Sequence, residues 1–129
     1  MTLERLNEHL SLVERYLEAK EIAQRLRDSL GLKAQAYTGM PHGTGTEDTV
    51  GNTVVEVIRL EEKAKQLEFE VLESQKPIEA WIDTVEDICV QTVLRLRYIH
   101  GMKWQEVADM VGGENTSQSV RMSVYRILT

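Results

Sequence analysis

From Asn115 to Thr129 the chain carries two arginines, Arg121 and Arg126, a series of hydroxyl and amide side chains, and no acid. Arginine donates in a planar fork that fits a phosphate or the edge of guanine, and glutamine fits adenine, so these residue types can bind nucleic acid. Spacing decides whether they share a face. On a helix turning about 100° per residue with Val124 inward, Ser119, Met122 and Arg126 point almost directly away from the core. Gln118, Ser123 and Tyr125 flank that stripe, and Arg121 lies nearer the core edge, where it can reach a phosphate or pair with an acid of a preceding helix. The candidate DNA contacts are therefore Gln118, Ser119, Arg121, Met122, Ser123 and Arg126, with the Tyr125 hydroxyl available to a phosphate. Gln118 and Ser119 stand nearest the helix N-terminus, where base-reading side chains usually lie.

Other chemistry finds less support. His9, His42 and His100 are far apart in sequence, and Cys89 is the chain's one cysteine, so neither a metal site nor an internal disulfide is expected. Cys89 is expected to be a small buried hydrophobe. The glycines between Gly39 and Gly45 lack the Gly-Lys-Ser/Thr ending of a phosphate loop and follow no strand, so they read as a flexible connector. No carboxylate pair stands with a nucleophile or an oriented histidine, so neither an enzymatic activity nor a cofactor is expected. Trp81, Trp104 and Tyr98 read as core anchors.

The elements that must position these residues are helical. Residues 3–30 carry Leu3, Leu6, Leu10, Val13 and Leu17 at coiled-coil-like spacings, then shift register to Ile22, Leu26 and Leu30, with Gly31 as the expected stop. Such a helix is roughly 40 Å long. A glycine- and threonine-rich loop spans about 31–48. A second long helix is expected from about Glu47 or Asp48 to Ser74, with Val50, Val54, Val57, Leu60, Ala64, Leu67 and Val71 as its seam. Neither helix can bury its stripe alone, so an antiparallel hairpin follows, open to completion by a second copy of the chain.

Pro77 is expected to end that helix and start a short one carrying Ile78, Trp81 and Ile82. Thr84, with Asp87 three residues on, is the expected cap of a helix running to about Ile99 and burying Ile88, Cys89, Val93, Leu94, Leu96 and Tyr98. Gly101 ends it. Lys103–Val111 is short and amphipathic, with Trp104, Val107, Ala108 and Val111 on one side, and Gly112-Gly113 breaks it. Asn115, with Gln118, is the expected cap of a last helix from Thr116 to Leu128 that buries Val120, Val124, Ile127 and Leu128. The fold expected is all-α. A long, coiled-coil-like N-terminal hairpin (1–76) is joined to a C-terminal helix-turn-helix bundle (77–129).

The chain has 129 residues and a formal charge of −6, unevenly placed. Residues 1–83 hold ten basic and sixteen acidic side chains, and residues 84–129 hold five of each. Long-range attraction to DNA would be weak, so any DNA contact must come from a local patch. No apolar run approaches the roughly 18 residues of a membrane span, and the charged, periodic start is no secretory signal, so a cytoplasmic protein is expected.

The stretch Leu94-Arg-Leu-Arg-Tyr-Ile-His-Gly-Met-Lys-Trp-Gln-Glu-Val-Ala108, with Val120-Arg-Met-Ser-Val-Tyr-Arg-Ile-Leu128, resembles region four of bacterial sigma factors over about 84–128. The chain is more similar to small phage and prophage regulators of Gram-positive bacteria, the ArpU/RinA-like late-transcription activators. That similarity is carried by Arg97-Tyr98-Ile99, Trp104-Gln-Glu-Val-Ala108, Gly112-Gly113-Glu-Asn115-Thr116, Val120-Arg121 and the linker Gly39-Met40-Pro41-His-Gly43. Twelve positions separate Ala108 from Val120, which implies a longer turn than in sigma region four. With no sigma core regions, a free-standing sigma factor is not expected. The resemblance implies sequence-specific binding to double-stranded promoter or operator DNA, activation of late genes, and contact with RNA polymerase. The apolar N-terminal seams suggest a homo-oligomer. Two other readings stay open: an interaction module docking on RNA polymerase, and a small terminase-like packaging subunit.

Overall fold

The computed structural model describes the main chain of residues 1–37 and 44–129, and the side chains of 1–31 and 50–129. Among the described residues every regular element is helical: α1 (Leu3–Tyr37), α2 (Thr44–Ile82), α3 (Ile88–Leu94), α4 (Trp104–Val111) and α5 (Ser117–Tyr125). α3 widens into a π-helical turn over Arg95–Ile99. The protein is all-α, and its two long helices pair in a hairpin-like arrangement, as their periodicity predicts. It divides into two compact units, one of Met1–Glu14 with Glu70–Thr129, the other of Arg15–Phe69. The C-terminal bundle thus takes in the first turns of α1 and the last turns of α2.

In the unit Arg15–Phe69 the helices meet through small residues. Ala19, Ala64 and Leu67 are buried together with Tyr16 against them, and Arg27 pairs with Glu61 across the hairpin. The buried face of α1 runs on through Ala19 and Ala23 rather than through the expected Ile22, because a 3.6-residue period carries it to those positions. Leu17, Ile22 and Val54, expected in the seams, are consequently exposed. Of the expected loop only 38–43 lies outside the described residues, and the main chain on either side of it is helical. Gly31 does not stop α1, and α2 begins at Thr44. A glycine inside a helix costs about 1 kcal/mol, which a long helix absorbs.

The other unit is built around Leu6, Leu10, Ile78, Ile82, Val93, Leu94, Tyr98, Val107, Ala108, Val120 and Val124, all buried in one cluster. Arg5 donates to the Ser74 carbonyl at 2.8 Å and to its hydroxyl at 3.1 Å, and His9 Nδ1 lies 2.9 Å from the same hydroxyl. Pro77 does not end α2, which continues to Ile82. Proline inside a helix forfeits one hydrogen bond at about 3 kcal/mol. Ile78 and Ile82, just beyond it, are fully buried and return about 2 kcal/mol each.

Because α2 runs on, capping of α3 moves from Thr84 to Asp87, whose carboxylate accepts from the Cys89 and Val90 N–H groups at 2.9 and 3.3 Å. Thr84 instead donates its hydroxyl to the Trp81 carbonyl at 2.6 Å. The first turn of α3 therefore faces solvent. Ile88 is 76% exposed and Cys89 is exposed, contrary to their expected burial.

Candidate nucleic-acid interface

α4 starts after an extended Lys103 and buries Val107 and Ala108. Small Ala108 leaves room for α5 to pass close by. The chain then turns through Gly112 and Gly113, at φ of 76° and 66°. Gly112, with ψ of −161°, occupies a region essentially closed to side-chain-bearing residues. Asn115 does not cap α5; its amide donates to the Gly112 carbonyl at 2.9 Å and ties the turn together. Thr116 is the cap. Its hydroxyl accepts from the Ser119 N–H at 3.1 Å, while Ser119 Oγ accepts from the Thr116 N–H at 2.8 Å. The reciprocal box thus uses Ser119 rather than Gln118, one residue later than expected, because the glycine pair and Asn115 together consume the turn.

Val120 and Val124 fix the inward side of α5. Gln118, Ser119, Met122 and Arg126 are exposed, while Arg121 and Ser123 are half-buried. The helix closes at Tyr125 rather than Leu128, which puts Arg126 at its C-cap and leaves Ile127 exposed. Ser119 and Ser123 spend their hydroxyls locally, Ser123 donating to the Val120 carbonyl at 2.6 Å. Gln118, Arg121, Met122 and Arg126 are left with free outward groups, and neither arginine makes an ion pair among the described residues. The acids of α4, Glu106 and Asp109, are exposed on that helix, where they would repel a phosphate chain.

A contact that the sequence does not announce braces this arrangement. The Arg97 guanidinium sits 4.9 Å over the Trp104 ring and donates to the Met102 carbonyl at 2.8 Å. Tyr98 and Tyr125 stand nearly perpendicular to Trp104 with centroids at 6.1 and 6.4 Å. One indole thereby joins the π turn, α4 and α5. Burial pushes the Tyr98 hydroxyl up to about 12, against the pull of the Arg97 cation, so it stays neutral. No spacing rule pairs Arg97 with Trp104 across Gly101; the glycine's φ of 71° brings them together.

Elsewhere, His9 is buried on Ser74, and His42 lies outside the described residues. Among the described residues no three metal-binding side chains converge, and no helix is long and apolar enough to cross a membrane.

The fold and this surface define an all-helical protein with a helical hairpin and a helix-turn-helix bundle. A family model described as a protein of unknown function, DUF1492, matches residues 35–127, and the chain belongs to that family. No curated protein and no solved structure matches it.

Proposed function

We propose that the protein is a sequence-specific DNA-binding transcriptional regulator of phage or prophage type, an activator of late genes, acting in the cytoplasm as a homo-oligomer and contacting RNA polymerase. The observation that carries the reading is the division of α5. Two valines lock one side into the bundle, and the other presents Gln118, Met122 and Arg126, with Arg121 at its edge, in a segment without acids. A helix held in that way after a glycine turn can lie in the major groove. Phosphate contacts would supply affinity and make it salt-dependent.

The test is a gel shift with the late promoter region of the host prophage. The expected result is retardation at low salt that weakens about tenfold on Arg126→Ala or Arg121→Ala, equivalent to about 1.4 kcal/mol. Folded protein that retards nothing at low salt would overturn the reading.

The acidic excess in residues 1–83 favours a second reading, in which the bundle docks on RNA polymerase without touching DNA. Capture of polymerase without a DNA shift selects it, whereas ring-sized assemblies would select a terminase-like packaging subunit.

A further inference from the structure

Two of the apolar side chains left exposed on the hairpin, Ile58 and Phe69, share one face of α2. Within Arg15–Phe69, Ile58, Glu62, Lys65 and Phe69 of α2 follow one another at spacings of four, three and four, which is a heptad seam. At about 100° per residue their mean direction lies roughly 140° around the helix from that of the buried Val57, Ala64 and Leu67, with Lys65 on the flank that lines the groove to α1. Ile58 is 50% exposed, and Phe69, the chain's one phenylalanine, is 66% exposed. Glu62 and Lys65 are exposed between them, and neither is ion-paired among the described residues. Their neighbours differ: Glu61 is held by Arg27, and Arg59 by Glu56 at 2.6 Å.

The seam is self-complementary about a point midway between Glu62 and Lys65. Laid antiparallel on itself, Ile58 of one copy meets Phe69 of the other and Glu62 meets Lys65, each contact occurring twice. That is the isologous pattern of a twofold dimer. A parallel pairing would instead stack Glu62 on Glu62 and Lys65 on Lys65. We propose that this outer face of α2 is a homodimer interface, formed with an antiparallel second copy of the chain and oriented by the two Glu62–Lys65 pairs. The proposal specifies the oligomer suggested above, and it holds whether or not α5 binds DNA.

Sedimentation of the full chain without DNA tests it. The wild type is expected to reach twice the chain mass as concentration rises. Glu62→Lys and Lys65→Glu each replace two attractive contacts with two repulsive ones, so each alone is expected to weaken the dimer roughly tenfold or more. Mixing the two variants restores attraction at both positions, so the mixture is expected to dimerise like the wild type. All four positions are solvent-exposed, and unchanged helicity by circular dichroism confirms folding. A monomeric wild type, single variants that dimerise normally, or a mixture that stays monomeric would overturn it.

Discussion

His9 shows how one buried residue ties the bundle to pH. Burial holds its imidazole below the usual 6.5, the nearby Arg5 cation adds to this, and the main chain of Tyr98 opposes it. Nε2 makes no hydrogen bond of normal geometry, so the neutral ring is what the fold accepts. Above about pH 6.5 the imidazole is neutral in both folded and unfolded chains, and its contribution is complete. Below that, the unfolded chain takes up a proton that the folded chain refuses, so stability falls until the lower folded value is reached. Urea denaturation at pH 7.5 and 5.5 is expected to show a lower midpoint at the acidic pH, with the difference reduced in His9→Gln. Equal midpoints for the wild type would contradict the burial. Leu94, fully buried at the centre of the bundle, sets the scale for packing: Leu94→Ala is expected to cost about 2–5 kcal/mol by the same method.

At the scale of elements, glycine and proline carry the sharpest expectations. Gly112→Ala meets no atom within 4 Å, so its cost is the backbone's alone, about 1–3 kcal/mol for a φ of 76° with ψ of −161°. Gly31→Ala, inside α1 and equally uncrowded, is expected to stabilise by about 0.5–1 kcal/mol. Paired thermal melts read both signs. Thr116→Ala removes the α5 cap and is expected to cost about 1 kcal/mol.

The same elements show what the sequence carries. Val107, Ala108, Val120 and Val124 are legible because an amphipathic period admits one inward face, and Gly112-Gly113 is legible as a break. The run of α2 through Pro77 is not, because local propensity says stop while the burial of Ile78 and Ile82 is a tertiary effect. The cap positions slip for a related reason. Thr84 and Asn115 are as able to cap as Asp87 and Thr116, and only the path of the turn chooses between them. The outward stripe of α5 was readable from Val124 alone, whereas the Arg97–Trp104 stack that braces it required the turn at Gly101.

Across the whole molecule, the excess acid lies within the bundle unit, where Met1–Glu14 with Glu70–Thr129 holds seven basic and twelve acidic side chains, against eight and nine in Arg15–Phe69. Residues 84–129 carry no net charge, so DNA affinity must come from a few contacts on α5 and would gain from joining two chains. The most direct measurement of the central claim is the salt dependence of DNA binding by wild type and Arg126→Ala, followed by fluorescence anisotropy on a genomic fragment selected by the wild type. A phosphate contact at Arg126 predicts a shallower log–log slope in the variant, lower by about one, with weaker binding at every salt. Identical curves for the two proteins, or no binding by the folded wild type at low salt, would contradict the assignment of α5 as a DNA-reading helix.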